Sequence, residues 1–423
     1  MSRAGARGPT VLVTDAGRGS AVAIIRSLGR SGYRVVAADS EPGALGFHSR
    51  YTCCAAVYPS PRTAPEAFCA ALHTLVAAED VGLIIPVTDL SAQPLAAARQ
   101  RFAPVRLAIP PDEALQVVTD KARTLELAAR LGVPTPRTRL VHTVSEALAA
   151  GAAWGWPLVL KPQVSHKLES GQGIESFQVT YAESPADLEQ KMARFEGRCG
   201  VLLQRYFAGV GHGVELLMSR GRPLAAFQHQ RRREIPLSGG ASSYRESVRL
   251  DPMLYGYAER LLAALEWTGL AMVEFKVADG RVALMEINGR VWGSLPLAVA
   301  SGMDFPARLA RLHFAGEPRS PARVDSDYRI GVRCRDLQRD LLWIAAVLGG
   351  KRRYDFLHAP SRRRAVRALL GILDPRRKQD LLVWDDPLPG LFELPRLGPR
   401  LWGKVRTGTP AHALGAGSTI RMG

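Results

Sequence analysis

Residues 271–290 have the sequence AMVEFKVADGRVALMEINGR, which alternates as two half-buried strands do on either side of a tight turn. The turn signal is Asp279–Arg281, and a three-residue loop there places Glu274 directly opposite Glu286 on one face of the sheet. A two-residue loop would shift the register by one and set Glu274 against an apolar residue. The pattern therefore favours a hairpin on which two carboxylates and the carboxamide of Asn288 share a face.

Two carboxylates in this arrangement repel each other unless a cation lies between them, because Cβ atoms opposite on neighbouring strands are roughly 5 Å apart. Oxygen ligands suit a hard ion such as Mg²⁺, which commonly also binds nucleotide phosphates. The hairpin therefore predicts a magnesium site made of Glu274, Glu286 and Asn288. A polar face that simply meets water is the alternative, and spacing alone does not separate the two.

The composition is that of a globular protein large enough for two to four domains. Of the 423 residues, 47% are hydrophobic and 22% are charged. The five cysteines are scattered and lack metal-ligand spacing, which favours reduced thiols in the cytoplasm. No apolar signal core follows the basic N-terminus, and the apolar run Leu341–Leu348 is too short to cross a bilayer. We therefore expect a cytoplasmic protein.

Positive charge is concentrated towards the C-terminus. The net charge is +17, and the residues from Arg319 onward contain 21 Lys and Arg against 10 Asp and Glu, a surplus of 11. Such a surplus suits an anionic partner. We expect no nucleic-acid partner, because the aromatic–basic pattern of a nucleic-acid module is absent. A solvated basic face is favoured, and peripheral membrane contact by this region is the alternative.

Residues 10–115 alternate between predicted strands and helices, which indicates a Rossmann-like parallel sheet. Gly17–Val22 follows the first strand and Asp39 ends the second, which half-matches a dinucleotide-binding fingerprint. Val22 stands where that fingerprint needs a small residue. We interpret the turn as part of a Rossmann-like domain that does not bind NAD, with an NAD-dependent oxidoreductase as the alternative.

Two lysines are candidate phosphate ligands. Lys161 lies on a predicted strand, and the Gly-bearing loop Gln163–Ile174 that follows can supply backbone N–H groups to a polyphosphate. Lys121 lies in the first turn of a predicted helix, where a cation opposes the helix dipole unless an anion is bound. The apolar strand Val201–Phe207 is broken by Gly209–Gly213, and such an edge can bind adenine through backbone groups.

A third polar region lies between these segments and the hairpin. Phe227–Glu234 contains three consecutive arginines and precedes the Gly-rich stretch Ser238–Ser243. At least one arginine should face the ligand side of the sheet, where guanidinium groups suit carboxylates and phosphates. The predicted substrate-binding residues are His229, Arg231, Ser238, Gly239 and Gly240.

In their order along the chain, these segments resemble the ATP-grasp superfamily of carboxylate–amine ligases over about residues 10–320. The matching segments are Thr119–Lys121, Leu158–Pro162, Leu203–Phe207, Val273–Phe275 and Met285–Arg290. Further segments are similar to a bacterial subgroup known mostly as predicted ATP-dependent carboligases. They are Ser49–Tyr51, Pro86–Asp89, Arg233–Pro236, Ser238–Gly240 and Trp292–Ser294.

The resemblance implies an α/β fold with α+β lobes. A Rossmann-like domain (1–115) should precede the ATP-grasp small lobe (116–199) and a large lobe that carries the metal site (200–318). A basic and partly helical C-terminal extension (319–423) should complete the chain, with its residues after about Thr407 disordered.

The resemblance also implies a role for each candidate residue. The ATP-binding residues would be Lys121 and Lys161 at the phosphates, with Gln204, Arg205, Tyr206 and Phe207 at the adenine. Glu274, Glu286 and Asn288 would bind two Mg²⁺, with Mn²⁺ as a substitute. The catalytic residues would be Arg290 at the γ-phosphate and Arg233 at the substrate carboxylate. Many members bind the ribose through an acidic residue after the hinge; here Glu215 and His212 are the candidates.

The implied reaction joins a small-molecule carboxylate to an amine. ATP activates the acid as an acyl phosphate, the amine attacks it, and ADP and phosphate are released. Such a reaction needs positioning and charge neutralisation rather than a covalent nucleophile. The alternatives are an ATP-grasp carboxylase that uses bicarbonate, and a non-catalytic nucleotide-binding or membrane-associated protein. The oligomeric state stays open, with a homodimer as one alternative.

Overall fold

A computed structural model describes residues 8–169, 173–317, 323–350, 354–357 and 360–407. Gly171 of the predicted phosphate loop and the predicted disordered tail after Thr407 lie outside these residues. Among the described residues, no helix combines the length and the apolar content that a membrane span requires. The α/β class predicted from the sequence is confirmed.

The strands are β1 (Thr10–Val13), β2 (Arg34–Asp39), β3 (Thr52–Val57), β4 (Val81–Ile85), β5 (Arg106–Leu107), β6 (Thr138–Val141), β7 (Leu158–Pro162), β8 (His166–Glu169), β9 (Gly173–Ser176), β10 (Thr180–Ala182), β11 (Val201–Arg205), β12 (Val210–Ser219), β13 (Arg222–Ile235), β14 (Ala241–Ser247), β15 (Gly269–Ala278), β16 (Arg281–Asn288), β17 (Arg333–Arg335) and β18 (Lys378–Gln379). The α-helices are α1 (Gly19–Arg30), α2 (Pro65–Glu79), α3 (Asp89–Ala97), α4 (Asp112–Thr119), α5 (Lys121–Arg130), α6 (Val144–Trp154), α7 (Pro185–Met192), α8 (Pro252–Ala264), α9 (Leu295–Ser301), α10 (Phe305–Ala315), α11 (Leu337–Leu348), α12 (Arg362–Leu370) and α13 (Leu388–Thr407). Two 3₁₀ helices cover Leu45–His48 and Arg99–Phe102.

The N-terminal domain contains a parallel sheet of five strands in the order β3-β2-β1-β4-β5. Residues 11–13 of its central strand are apolar and fully buried, as expected of a parallel sheet that is covered on both faces. Ligands of such sheets bind beyond the carboxyl ends of the strands. Asp15, Asp39 and Asp89 lie at that edge, as the sequence predicted.

The small lobe is built on an antiparallel sheet in the order β10-β7-β11-β6. Leu158, Leu160 and Leu203 pack in one core with residues of α6 and α7. Because side chains alternate along a strand, Lys161 and Gln204 point from the opposite face of the sheet. That face forms one wall of the cleft described below.

A hairpin forms where the sequence predicted only a Gly-bearing loop. Strands β8 and β9 pair, with His166 opposite Ser176, within and just beyond the predicted loop Gln163–Ile174. The backbone N–H of Ile174 donates to the carbonyl oxygen of Arg62 at 2.7 Å, so the hairpin contacts the N-terminal domain. The polar composition that suggested a loop does not prevent pairing, because backbone groups supply the hydrogen bonds of the ladder.

The large lobe is a seven-stranded sheet in the order β16-β15-β12-β13-β14-β17-β18. Leu217, Phe227 and Met272 on one face share a core with the N-terminal domain. The other face packs on α8 through Val214 and Leu216. Strands β17 and β18 come from the basic extension, which therefore completes the sheet of the large lobe.

Buried arginines fix the extension to the rest of the molecule. On α1, the Nε of Arg26 donates to the Oδ2 of Asp386 at 2.9 Å, and its other nitrogens donate to the carbonyls of Asp380, Leu381 and Asp386. On β14, Arg245 donates to both carboxylate oxygens of Asp380 at 2.5 Å. Residues 380–386 are therefore held by both the N-terminal domain and the large lobe.

Asp386→Ala should lower the free energy of unfolding by about 3–5 kcal/mol, because it leaves the Arg26 guanidinium buried without its carboxylate. Asp385→Ala removes an exposed pair with Arg30 and should cost within about 1 kcal/mol. Urea unfolding followed by tryptophan fluorescence measures both variants. Equal losses would contradict a buried anchor at Asp386.

Candidate active site

The hairpin β15–β16 has the predicted pairing but not the predicted loop. Glu274 lies opposite Glu286, and Met272 lies opposite Asn288. The loop has two residues, Asp279 and Gly280, both with positive φ, as Asp-Gly turns of the I′ type require. One extra residue of β16 forms a bulge beside Glu274 and shifts the register back by one. The three-residue loop was therefore wrong, and the bulge restores the opposed carboxylates.

A cleft of about 180 Å³ lies between the small lobe, the hairpin and the N-terminal domain. It brings together residues that are far apart in the sequence. Its lining includes Lys121, Lys161, Gln204, Glu286, Asn288 and Arg290. The predicted phosphate ligands and two of the three predicted metal ligands therefore share one cavity, and Glu274 adjoins Glu286 across the hairpin.

The charges in the cleft compensate one another across its walls. Burial lowers the pKa of Lys161 from 10.5 to about 8, although Glu286 and Glu274 oppose this shift. Burial likewise lowers the pKa of Lys121, whose Nζ donates to the Oγ of Ser165 at 2.7 Å. Burial by itself would raise the pKa of Glu286, but the two lysines leave it below its ordinary value. Ionised Glu286 and the buried lysines therefore depend on each other.

Glu274 has a cation of its own. Burial raises the pKa of this carboxyl group, while the Arg231 guanidinium, which contacts its Oε2, lowers it. The Nη1 of Arg231 also donates to the Oε1 of Glu234 and to the carbonyl oxygen of Gly240, both at 3.0 Å. Arg231 therefore links the hairpin carboxylate to the Gly-rich stretch that the sequence predicted to bind substrate.

The donor set around the opposed carboxylates fits a hard cation. Glu274 and Glu286 offer carboxylate oxygens, and the Nδ2 of Asn288 donates to the Oε1 of Glu286 at 3.1 Å, so that the carboxamide lies beside them. The described residues contain no group of three or more His, Cys, Asp or Glu side chains that could hold a metal ion. A cation here would therefore have two carboxylates and a carboxamide, with room for oxygens from a ligand.

Arg290 connects this cleft to the N-terminal domain. Its Nε donates to the Oδ2 of Asp89 at 2.9 Å, at the carboxyl edge of the parallel sheet. The sequence had placed Asp89 at a strand end without a partner, and it had included Ser165 and His166, which also line the cleft, only as part of the predicted loop Gln163–Ile174. The position of Asp89 in the sequence could have identified it as a site residue, because carboxylates at the carboxyl ends of strands in such sheets commonly face a ligand.

Three predicted site residues are engaged elsewhere. Arg233 makes a bidentate pair with Asp340 of α11, with both distances at 2.7 Å, and its guanidinium lies 4.1 Å from the ring centre of Tyr244. His229 and Glu215 are fully buried and bonded to each other at 2.5 Å. The predicted catalytic role of Arg233, substrate role of His229 and ribose role of Glu215 stay predictions, and each of these side chains has a protein partner in this structure.

The other ribose candidate, unlike Glu215, lies on the face of the sheet that is turned away from the cleft. His212 hydrogen-bonds to Gln228 and Gln230 at 3.2 and 3.3 Å. Val214, which shares this face of β12, packs in the core beneath α8. No described residue is therefore assigned to the ribose.

The predicted adenine hinge joins the two lobes between β11 and β12. Gln204 is buried, lines the cleft and donates to the Oγ1 of Thr138 at 2.8 Å. Arg205 is exposed, whereas the Tyr206 ring packs 4.8 Å from that of Phe356 in the extension. The carbonyl of Phe207 accepts from Lys276 at 3.5 Å. Of these four residues, Gln204 has the geometry of a cleft residue.

The part of the chain that contains the hinge and the β15–β16 hairpin is similar to a known protein family. Residues 199–334 match the family model described as "ATP-grasp in the biosynthetic pathway with Ter operon". This range contains the hinge, the opposed carboxylates, Asn288 and Arg290. This part of the chain therefore belongs to the ATP-grasp family.

Curated relatives match much of the length of the chain. The chain is 27% identical over 301 residues to the carbamoyl phosphate synthase large chain of Thermus thermophilus. These residues cover 69% of this chain and 28% of that one. It is 28% identical over 313 residues to the formate-dependent phosphoribosylglycinamide formyltransferase of Burkholderia pseudomallei, covering 71% and 73% of the two chains. The chain thus spans about a quarter of the length of the carbamoyl phosphate synthase chains that it matches.

Solved structures share the fold at low sequence identity. The ADP complex of purK, an N5-carboxyaminoimidazole ribonucleotide synthetase, has a TM-score of 0.60 at 15% identity, covering 88% of this chain and 98% of that one. Biotin carboxylase from Campylobacter jejuni also has a TM-score of 0.60, at 16% identity, covering 77% and 74%. At this identity the likeness shows that the ATP-grasp fold extends over most of the chain.

The lowered pKa of Lys161 predicts a pH-dependent stability. Between pH 8 and 10.5 this lysine binds more protons in the unfolded chain than in the folded one, so its contribution to the free energy of unfolding should rise with pH. Lys161→Met should remove this rise, which amounts to about 3 kcal/mol across the window. Urea midpoints from pH 6 to 10.5 measure it, with Lys378→Met, at an exposed lysine, as the control. Parallel curves for wild type and Lys161→Met would contradict the shift.

Proposed function

We propose that this protein is an ATP- and Mg²⁺-dependent ligase that activates a carboxylate as an acyl phosphate and joins it to an amine. The observation that carries the proposal is the cleft itself. It faces two buried lysines towards opposed carboxylates, with Arg290 at its N-terminal edge. A triphosphate with its metal ion would bring anions to the lysines and a cation to the carboxylates, in place of the charges with which these groups now compensate one another.

Each wall of the cleft has a separate task in this proposal. Lys121 and Lys161 bind the phosphates, and Gln204 marks the adenine end beside the hinge. Glu274, Glu286 and Asn288 hold the metal ions, for which Mn²⁺ can substitute. Metal bound there would neutralise charge on the phosphate oxygens. Arg231 must then leave the Oε2 of Glu274, since both cations cannot occupy that oxygen.

The acid is proposed to bind between Arg290 and the N-terminal sheet. An oxygen of its carboxylate attacks the γ-phosphorus, and the bond to the β,γ-bridging oxygen breaks, so that ADP leaves. The amine nitrogen then attacks the acyl carbon, phosphate leaves, and the nitrogen loses a proton. Arg290 lies at the junction where both steps occur, held there by Asp89. The β8–β9 hairpin, bonded to the N-terminal domain, excludes water from the acyl phosphate.

Arg231, which was predicted to bind substrate, is proposed to take the role predicted for Arg233. Its side chain contacts Glu274 and the carbonyl of Gly240, whereas Arg233 is bound to Asp340. Once released from Glu274, the Arg231 guanidinium can bind a carboxylate or the leaving phosphate. We therefore assign to Arg231 the electrostatic role near the acyl phosphate.

The relatives support an acid-activating reaction without naming the substrate. One relative is described as a formate-dependent formyltransferase and another as a carbamoyl phosphate synthase. Small-molecule substrates are consistent with this group. Residence in the cytoplasm and assembly into a homodimer stay predictions.

A coupled assay for ADP release, run over carboxylates paired with amino acids and polyamines, tests the proposal. The expected result is ADP release that requires an acid and Mg²⁺ and yields an amide with an amine present. ADP release with bicarbonate and no amine would favour a carboxylase instead. Tight ATP binding with no ADP release across the panel would indicate a non-catalytic nucleotide-binding protein.

Glu286→Gln should reduce ADP release at least about 100-fold, because it removes a carboxylate that faces both the metal site and the two lysines. Circular dichroism should show an intact fold. Glu113→Gln, at an exposed position on α4, is the matched control and should turn over as wild type does. Near-normal turnover by Glu286→Gln would remove this residue from the metal site.

A further inference from the structure

Helix α12 and the turn after it present three different faces. Ala365 and Ala368 are buried in a core with side chains of α11. A second face is apolar and open to solvent, and it consists of Val366, Leu369, Leu370 and Leu373. The third is cationic, with Arg363, Arg364 and Arg367 exposed, and Arg362 lies at the start of the helix.

The apolar face is continuous rather than scattered. Its four side chains are 47, 46, 69 and 87% exposed. The spacing of Val366, Leu369 and Leu370 places these three in one stripe along the helix, and Leu373 follows in the turn after it. Isolated exposed leucines are common on soluble proteins, but a contiguous apolar stripe beside charged residues marks an interaction surface. The alanine face already attaches the helix to the protein, so the stripe is not needed for folding.

The charge around the stripe has one sign. Residues 361–373 contain four arginines and no Asp or Glu, and the nearest carboxylate, Asp374, is paired with Arg377. We propose that this surface docks on an anionic lipid bilayer, with the leucines at the headgroup–acyl boundary and the arginines at the lipid phosphates. An apolar layer beneath anionic groups complements an apolar stripe beside a cationic one.

A second copy of the chain fits this surface poorly. A twofold contact through the stripe would bring two sets of arginines together, which is unfavourable without intervening anions. A bilayer supplies such anions at its surface. The same extension also exposes Trp384 almost completely, at 99%, and tryptophan is enriched at membrane interfaces. The surface is peripheral, and the ligase reaction proposed above does not depend on it.

Co-sedimentation with lipid vesicles tests this proposal on the full chain. Wild type should bind vesicles of phosphatidylcholine with phosphatidylglycerol at least about tenfold more tightly than phosphatidylcholine alone, and raising NaCl from about 0.1 to about 0.5 M should weaken binding. Leu370→Ser with Leu373→Ser, and separately Arg363→Gln with Arg367→Gln, should each reduce binding on the order of tenfold. Val57→Ser and Arg130→Gln, at exposed sites elsewhere, are the matched controls and should bind as wild type does.

Three results would overturn the proposal. Wild type could fail to bind anionic vesicles, or both double variants could bind as tightly as wild type. Sedimentation velocity could instead show a dimer that Leu370→Ser with Leu373→Ser dissociates, which would assign the surface to a second copy. All four altered positions in the double variants are exposed, so circular dichroism and thermal unfolding should match wild type and exclude misfolding as the cause of lost binding.

Discussion

Two half-buried carboxylates that face each other across neighbouring strands impose the strongest constraint on this structure. Glu274 and Glu286 cannot both ionise in a cleft shielded from water unless cations lie close to them. The pairing of β15 with β16 sets the two carboxylates opposite each other, and it does so only because β16 has a bulge beside Glu274. The surrounding basic residues lie where they can compensate these two negative charges.

The two lobes and the N-terminal domain all take part in this charge compensation. Lys121 and Lys161 approach Glu286 from the small lobe, and Arg231 reaches Glu274 from the neighbouring strands of the large lobe. Arg290 extends the network to Asp89 on the N-terminal domain. Buried ion pairs fix the basic extension to α1 of the N-terminal domain and to β14 of the large lobe. Charge compensation thus links the small lobe, the large lobe and the N-terminal domain at one cleft, while separate ion pairs hold the extension.

Local patterns in the sequence were sufficient for the fold class and for the centre of the site. Alternation in residues 271–290 predicted the opposed carboxylates, and the strand and helix positions of Lys161 and Lys121 predicted their place beside a polyphosphate. Alternation cannot report a bulge, which explains the wrong loop length at Asp279. Nor can it report partners far along the chain. Arg233 resembled a substrate ligand until Asp340, 107 residues later, proved to be its partner.

A crystal structure with Mg²⁺ and a non-hydrolysable ATP analogue is the most direct test of the central claim. The account predicts metal bound to oxygens of Glu274, Glu286 and Asn288, phosphates beside Lys121 and Lys161, and the Arg231 guanidinium displaced from Glu274. A nucleotide bound outside this cleft, or metal held elsewhere while Arg231 still contacts Glu274, would contradict it.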